Sequence, residues 1–436
     1  MSLAAAIDAV RAFSPAIRQG RVTRAGSTFL EADGPDAPVG ALCMVEQEGR
    51  RPAAAVVSSV RRDRVVLAPL DAMLGVRLGA RVVLEREAVN HTVGDALAGR
   101  AVDGLGRPID GGPPIIVERR ACASSSPSPL DRHTPSEIVE TGVRAIDGLL
   151  TLGRGQRIGL FAAPGVGKTT LLTQLARHVE ADRVVICLVG ERGREVEALW
   201  ADTKASGVRS RCVLVAATSD ESAALRAQAV ELAMAQAVAW RADGLHVLLL
   251  VDSATRYAMA LREIGLAAGE PPTVRAYTPN VFAALPRLVE ACGAVRNGGA
   301  VTAVMTVLSE TDDVDDPVSE VMRSLLDGHI VLSRRLAEQG RFPAIDAPRS
   351  LSRLASGLRS AEHQAAAERA SSLIAEYEQA RPLLDAGMYT AGANADIDAA
   401  IERRADLTAF LSQRTDERSS LKETMTALAT AARLRG

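Results

Sequence analysis

The sequence is poor in aromatic residues and has no long apolar run. Only 3% of its 436 residues are Phe, Trp or Tyr, so its core must be built mainly from Ala, Val, Leu and Ile. The longest apolar runs, such as 247–251 and 301–308, are far shorter than a membrane-spanning helix. Residues 1–13 lack a basic leader and contain Asp8, so we expect a short helix there and not a signal peptide. We therefore expect membrane association only through a partner.

The sequence also has few cysteines and a net charge close to zero. The five cysteines are widely spaced without a CxxC pair, which is typical of reduced thiols in the cytosol. The six histidines lack metal-ligand spacing. With 51 basic and 53 acidic residues, the net charge of −2 argues against a nucleic-acid coat or a patch for anionic membranes.

The chain divides into segments that differ in the pattern of their apolar residues. Residues 20–87 alternate short apolar runs with turn residues about every ten positions, which predicts a small β-barrel or sandwich. A Gly/Pro-rich connector, 99–114, and a loose stretch, 121–129, follow. From about 140 to 350, apolar strands alternate with helical patterns, which indicates a mostly parallel sheet with helices on both faces. The remainder, about 355–436, has helical patterning.

One loop carries the clearest chemical signal. The strand IGLFAA is followed by PGVGKT and then by a helical pattern, which is the layout of a phosphate-binding loop. Its glycines turn backbone amides toward one point, and the helix adds its positive end. The strict pattern has Gly where this chain has Ala162. We expect the nucleotide to contact Ala163, Pro164, Gly165, Val166, Gly167, Lys168, Thr169 and Thr170.

Two later strands end in carboxylates. Asp252 ends HVLLLVD and can hold Mg²⁺ together with the hydroxyl of Thr169. Glu191 follows RVVICLVG and can position the attacking water, with Arg192 beside it to touch the γ-phosphate. Lys168 would reach the β- and γ-phosphates.

Six motifs in order extend this signal over nearly the whole chain. They are VDGLGRPIDG, the stretch from ETGVRAIDG to GVGKTTLL, GERGREVEALW, DSATRYAMALREIGLAAGEPP, the stretch from LDGHIVLSRR to PAIDAPRSLSR, and DIDAAIE. Together they resemble the ATPase of type III protein secretion, a family related to the catalytic subunit of rotary ATP synthases. PAIDAPRSLS is similar to the signature segment that rotary-type ATPases share.

The resemblance implies a fold and an assembly. It implies an N-terminal helix and β-barrel at 1–90, a RecA-like nucleotide domain at 91–352 and a helical domain at 353–436, assembled as a homohexamer. Active sites would lie between protomers, and Arg353 matches the family's arginine finger, which reaches into the neighbouring site. A guanidinium supplied in this way neutralises charge on the transferring phosphoryl group.

The resemblance also marks departures from the family. Phe342 stands where the family usually has the Tyr of its adenine site; an aromatic face remains for stacking, without the phenol hydrogen bond. Ala254 replaces a larger aliphatic residue, and ACG at 291–293 replaces Arg-Ala-Gly. Residues 262–277 resemble the family loop that faces the central channel, and the acidic run 312–316 is typical of a solvated loop.

As the function, the resemblance implies an ATP-hydrolysing motor that releases chaperones and unfolds proteins for export, with Mg²⁺ as cofactor. The implied partners are further copies of this chain, a central stalk protein, a stator or regulator protein, export-gate membrane proteins and chaperone–effector complexes. The implied location is the cytoplasmic face of the bacterial inner membrane. Ala162-Ala163-Pro164, where flagellar members tend to have Ala-Gly-Ser, favours the injectisome over the flagellar export ATPase.

Three other functions fit less well. An ATP synthase catalytic subunit should carry an acidic rotor-facing segment, which 370–436 lacks. A non-hydrolysing structural subunit should lack a carboxylate such as Glu191. An RNA translocase should have a basic or aromatic module that binds single strands. The first 90 residues contain only two aromatic residues, Phe13 and Phe29, and little basic clustering.

Overall fold

The computed structural model describes residues 17–116, 126–308 and 316–432. Three stretches named above fall wholly or largely outside them: the expected N-terminal helix, the stretch 121–129 and the acidic run 312–316. Within the described part, no helix is long and apolar enough to span a membrane. The chain divides into two compact units, and the first contains residues up to Asn90, Asp220–Gln228 and Met259–Val281.

The first unit is built on a closed barrel, which decides between the barrel and the sandwich left open by the sequence. Its strands follow the order β1-β2-β5-β4-β3-β6, and all are antiparallel to their neighbours. Small and β-branched side chains fill the interior, including Ala32, Cys43, Val57 and Leu67. The strands are β1 (Gln19–Ala25), β2 (Leu30–Ala32), β3 (Leu42–Val45), β4 (Ala53–Val60), β5 (Val65–Pro69) and β6 (Arg81–Arg86).

The second unit contains the remaining strands. They are β7 (Ala101–Val102), β8 (Arg132–His133), β9 (Ile138–Val139), β10 (Leu152–Gly153), β11 (Arg157–Ala162), β12 (Arg183–Val189), β13 (Cys212–Ala217), β14 (His246–Asp252), β15 (Gly293–Val295), β16 (Ala300–Leu308), β17 (Gly328–Leu332) and β18 (Leu351–Ser352).

The helices of the described residues are numbered in the same way. They are α1 (Arg144–Leu149), α2 (Lys168–His178), α3 (Gly193–Ala205), α4 (Ala223–Ala242), α5 (Ala254–Ala268), α6 (Pro279–Glu290), α7 (Pro317–Leu325), α8 (Arg334–Glu338), α9 (Ala355–Leu358), α10 (Ala361–Asp385), α11 (Ala395–Leu411) and α12 (Leu421–Ala432).

The main sheet of the second unit runs β18-β17-β11-β16-β14-β12-β13-β7. All strands from β17 to β7 are parallel, and only β18, β15 and β8 join antiparallel. Strands β12, β13 and β14 are buried along almost their whole length, as expected for a sheet covered on both faces. The α/β class with a mostly parallel sheet is therefore confirmed.

Two local predictions need correction. The segment 99–114 is not only a connector, because β7 lies within it and pairs with β13 at the sheet edge. The segment 262–277 is not a loop throughout, because α5 continues to Ala268 and Val274–Ala276 forms a 3₁₀ turn. The Gly and Pro residues of both segments suggested a loop. Apolar residues that pack in the fold lie between them, so part of each segment forms regular structure.

The C-terminal helices pack on one another and on α1. Leu373, Leu407 and Leu428, one from each of α10, α11 and α12, belong to the same buried cluster as Ile146. Nε2 of His363 lies 2.9 Å from the carbonyl oxygen of Gly148 and fastens the start of α10 to α1. The helical C-terminal region expected from the sequence is confirmed, whereas its exact boundary at 353 stays a prediction.

Candidate functional site

The departure from the phosphate-loop pattern, Ala162, lies in a strand and not in the turn. It is the last residue of β11, is buried, and pairs in register with Leu308 of β16 and Leu332 of β17. Extended backbone accepts any L-residue, so glycine is not required there. The two glycines that the loop does need are present, because Gly165 has φ +80° and Gly167 has φ +93°.

Helix α2 begins at Lys168, directly after the left-handed Gly167. The loop therefore ends at a helix N-terminus, where free amides and the helix dipole favour an anion. Pro164, Gly165 and Thr170 are exposed, while Lys168 and Thr169 are half-buried. An incoming phosphate can thus reach the loop from solvent, with the lysine at its inner side.

The side chain of Lys168 joins the two predicted carboxylates. Its Nζ donates to Oδ1 of Asp252 at 2.5 Å and to Oε1 of Glu191 at 3.1 Å. The side chains are 12% exposed for Lys168, 8% for Glu191 and 2% for Asp252, so water screens these charges little. The structure therefore brings these three predicted site residues together at the carboxyl edge of the parallel strands.

The pKa values of the lysine and the glutamate follow from this arrangement. Burial alone would lower the pKa of Lys168, but the carboxylates of Asp252 and Glu191 outweigh it and raise that pKa. Burial raises the pKa of Glu191, and the ammonium group of Lys168 opposes this without cancelling it. A glutamate whose pKa is raised by burial, beside a charged lysine, is a stronger base than an exposed glutamate and is suited to positioning and polarising a water molecule.

Phe342 lies against the phosphate loop although it is far away in the sequence. A Cβ placed on Gly167 would lie 3.6 Å from Cδ1 and Cε1 of the Phe342 ring. The Phe342 residue is 43% exposed, so part of its surface is open to solvent. An exposed aromatic ring beside a phosphate loop is a suitable stacking surface for a base.

Arg353 is not brought to this site within the chain. Leu351 of β18 and Gly159 of β11 both pair with His329, and β18 runs antiparallel, so Arg353 lies beyond the amino ends of the parallel strands. The phosphate loop follows the opposite end of β11. Arg353 is exposed, its Nη2 donates to the carbonyl oxygen of Arg323 at 3.3 Å, and its backbone N–H donates to Asp327 at 3.0 Å.

Arg192 lies next to the catalytic candidates but has a different environment. It directly precedes α3 in extended backbone conformation and is exposed. The pKa of Glu191 is influenced by Lys168, Asp252 and Arg256, and Arg192 is not among these groups. The contact of Arg192 with a γ-phosphate stays a prediction.

Comparisons with known proteins show to which family the chain is related. Residues 142–352 match the ATP synthase alpha/beta family, nucleotide-binding domain, and residues 359–430 match the T3SS EscN ATPase C-terminal domain. A flagellum-specific ATP synthase of Salmonella typhimurium is 43% identical over 97% of this chain and 95% of its own length. The chain belongs to the type III secretion ATPase family.

Other members show that the similarity extends over the whole ATPase. A type 3 secretion system ATPase of Xanthomonas euvesicatoria is 42% identical over 94% of this chain and 92% of its own length. The structure of the assembled ATPase EscN from the enteropathogenic E. coli type III secretion system matches with a TM-score of 0.90 and 40% identity. That match covers 95% of this chain and 100% of EscN as solved. The barrel, sheet and helical region of this ATPase are thus the family's architecture.

Two residues of the site were missed by the sequence reasoning. Thr306 of β16 donates from Oγ1 to Oδ1 of Asp252 at 2.7 Å, on the side away from solvent. Arg256, in the first turn of α5, is one of the charges that lower the pKa of Glu191, and its Nε is buried without a hydrogen-bond partner among the described residues. Their positions in the sequence could have indicated them. Thr306 lies on β16, the strand beside Asp252, and Arg256 follows Asp252 by about one helical turn.

Two of the three family departures, Ala254 and the segment 291–293, lie in the packed interior of the ATPase. Ala254 is fully buried at the start of α5. Cys292 is fully buried, and its neighbour Ala291 accepts a hydrogen bond from Nη1 of Arg241 at 2.6 Å. Burial raises the pKa of the Cys292 thiol to about 12, so it stays protonated and unreactive. Both departures therefore act on packing within this chain.

Proposed function

We propose that this ATPase works as a homohexameric ring that hydrolyses Mg·ATP at sites shared between protomers and uses the cycle to drive protein export. The observation that carries the proposal is the pairing of Lys168 with Asp252 and Glu191, in a chain whose Arg353 is exposed at the opposite end of the strands. One chain thus supplies a phosphate site and, at a separate place, an exposed guanidinium for another chain's site. The assembled EscN structure supports the assembly.

The donor set fits a magnesium ion that arrives with the nucleotide. Mg²⁺ in nucleotide sites is held by one or two carboxylates or hydroxyls together with phosphate oxygens. Asp252 and the hydroxyl of Thr169 would hold it here, and the ion would neutralise phosphate charge. Among the described residues no group of three or more His, Cys, Asp or Glu side chains could hold a metal without the nucleotide.

The residues of the chain would divide the work as follows. Amides of the loop from Ala163 to Gly167 would bind the phosphates, and Lys168 would exchange its carboxylate partners for β- and γ-phosphate oxygens. Glu191 would then accept a hydrogen bond from the attacking water and orient it in line with the γ-phosphate. Phe342 would stack on the adenine ring. Arg353 of the neighbouring protomer would stabilise the charge that develops on the transferring group.

The biological setting is proposed from the family. Another EscN structure is of the assembled ATPase in complex with its central stalk EscO, which supports a central stalk partner here. We further assign a stator or regulator protein, export-gate membrane proteins and chaperone–effector complexes as partners, and a place at the inner face of the inner membrane. Relatives of flagellar and injectisome type are equally similar at 42–43% identity. The injectisome is preferred here on Ala162-Ala163-Pro164.

The direct test measures phosphate release by the purified chain over a range of protein concentrations with Mg·ATP. Activity per chain should rise more steeply than linearly with concentration, because a shared site exists only between assembled protomers. Lys168→Ala, measured in parallel, should remove the activity. Constant activity per chain down to monomer concentrations would contradict the shared-site proposal.

A further inference from the structure

Gln413 is a buried residue in the segment between the last two helices, residues 412–419, and every polar group of its side chain is bonded. Its Nε2 donates to the carbonyl oxygens of Gly142 at 2.7 Å and Glu417 at 2.9 Å, and its Oε1 accepts from the backbone N–H of Arg144 at 2.8 Å. The residue is only 6% exposed. These bonds fix Gln413 between the start of α1 and its own segment.

The backbone of Gln413 reaches the nucleotide site. Its N–H donates to the carbonyl oxygen of Phe342 at 2.8 Å, which holds the residue whose ring lies against Gly167. Phe342 is 43% exposed, so packing around its ring restrains it less than it would a buried side chain. The 412–419 segment is therefore one of the restraints that fix the position of Phe342.

The same segment is anchored to the phosphate-binding helix. Nε2 of Gln174, in α2, donates to the carbonyl oxygen of Arg414 at 3.1 Å. Arg144 reinforces the anchor by donating from Nε to the carbonyl oxygen of Phe410 at 3.0 Å and by pairing with Glu417. Two consecutive residues, Gln413 and Arg414, thus connect the stacking aromatic and the phosphate helix to the C-terminal helices.

We propose that Gln413 is a positioning residue that fixes Phe342 for stacking on the nucleotide base and so sets the affinity of the site for ATP. The proposal rests on the proposed function, because it assigns Phe342 to the base. Loss of the Gln413 side chain would remove its bonds to Gly142, Arg144 and Glu417, so the segment would be held less firmly beside Phe342 and the ring would be less well oriented. We expect the phosphate loop itself to keep its geometry, because β11 and the start of α2 frame it and the hydrogen bonds of the Gln413 side chain go to Gly142, Arg144 and Glu417 instead.

Gln413 should affect binding of the base but not binding of the phosphates, and this difference can be measured. Gln413→Ala in the full chain should raise KM for ATP about threefold, less than the roughly fivefold expected when the Phe342 ring itself is removed, and leave kcat within about twofold. Inorganic triphosphate, which has phosphates but no base, should inhibit the variant and the wild type with the same Ki. Gln364→Ala is the matched control, because that glutamine is bonded to Glu368 at 2.6 Å within α10, and it should leave all three constants unchanged.

A double variant tests whether Gln413 acts through Phe342. In a Phe342→Ala background, adding Gln413→Ala should cause no further rise in KM, because residues that act as a unit are not additive. The isosteric Gln413→Glu keeps the acceptor for Arg144 and loses the donor to Gly142, so its KM should rise in the same direction even if the alanine variant folds poorly. Thermal unfolding of each variant is measured alongside.

The proposal is overturned if KM for ATP is unchanged in both Gln413 variants. It is equally overturned if the affinities for ATP and inorganic triphosphate fall together, which would mean a general structural role, or if the double variant is additive. A wild-type protein that neither binds nor hydrolyses ATP would instead reject the proposed function itself, which is a separate result.

Discussion

Nζ of Lys168 lies 2.5 Å from Oδ1 of Asp252, although 84 residues separate the two in the sequence. The carboxylate is 2% exposed and also accepts from Thr306, so it is held on its inner side. A carboxylate fixed in this way is oriented before the nucleotide arrives, which is the condition for binding a small cation at a defined place. The relationship thus links the phosphate loop to the expected magnesium site.

Asp252→Asn tests that link. The amide removes the negative charge, so the Mg²⁺ concentration for half-maximal ATPase activity should rise by roughly tenfold or more. Titration of Mg²⁺ at fixed ATP measures it. Glu197→Gln is the control, because it removes a carboxylate from the exposed face of α3 and should not change the titration. An Asp252→Asn protein with a normal magnesium requirement would show that this carboxylate does not serve the ion.

The pH dependence of the reaction should report Glu191. Burial raises its pKa, and only the ionised carboxylate carries the charge that polarises the attacking water and can take up its proton. The acid limb of kcat/KM should therefore lie above ~4.3, the value of an exposed glutamate. The measurement is kcat/KM between pH 4.5 and 9, with circular dichroism at each pH to verify folding. An acid limb at or below the ordinary glutamate value would contradict the prediction.

The same pKa shift has a consequence for stability. Because the pKa of Glu191 is higher in the native state than in the unfolded chain, the native state binds the proton more tightly. Proton binding by Glu191 therefore stabilises the native state at pH values below the pKa of the unfolded chain. This stabilisation is lost as the pH rises through the pKa of Glu191 in the native state. Glu191→Gln should therefore be at least as stable as the wild type at pH 7.5, as measured by denaturant unfolding. A marked loss of stability would show that the ionised carboxylate stabilises the fold.

Arg353 gives a prediction that only a shared site can satisfy. Arg353→Ala should lower kcat about 10³-fold while the protein still binds ATP, and Lys168→Ala should be inactive for lack of phosphate binding. Mixing the two variants should restore activity, because an Arg353→Ala protomer keeps its own Lys168 and receives Arg353 from a Lys168→Ala neighbour. Arg349→Ala, another arginine of the same segment, is the control. No recovery in mixed assemblies would reject the trans role.

Phe342 can be tested against the residue that its family usually has. Phe342→Tyr should leave KM for ATP close to that of the wild type, since the stacking face is kept. Phe342→Ala should raise KM roughly fivefold, in line with the loss of an aromatic contact. Steady-state kinetics with ATP measures both. If Phe342→Ala has an unchanged KM, the ring does not contact the base.

The sequence was sufficient to predict that the residues at the strand ends belong to the site, because the fold class determines where these ends lie. Glu191 and Asp252 each follow a buried apolar run, and parallel strands bring their carboxyl ends to the same edge of the sheet. Lys168 was recognisable from the loop that precedes it. The alternation of short apolar runs predicted β-structure and left barrel and sandwich open, because closure depends on β1 pairing with β6 across the unit. The barrel itself was implied by the family resemblance and is confirmed.

Other parts of the site depend on contacts that no local pattern reports. Thr306 lies in an apolar strand where a threonine is unremarkable, and its role comes from the neighbouring β14. Gln413 lies in a polar segment that resembles an ordinary helix connection, and its function arises from partners about 270 residues away, such as Gly142, where the separation is 271 residues. Phe342 and Arg353 were expected only through the family resemblance.

The most direct test of the account is ATP binding and hydrolysis by Glu191→Gln, measured in the same preparation at a concentration at which rings form. The amide keeps the size of the side chain but removes the negative charge and one of the two acceptor oxygens that orient and polarise the water. We predict that Mg·ATP is bound at least as tightly as by the wild type while phosphate release falls by a factor of roughly 10² or more. Hydrolysis at the wild-type rate would contradict the assignment of Glu191 and, with it, the proposed mechanism.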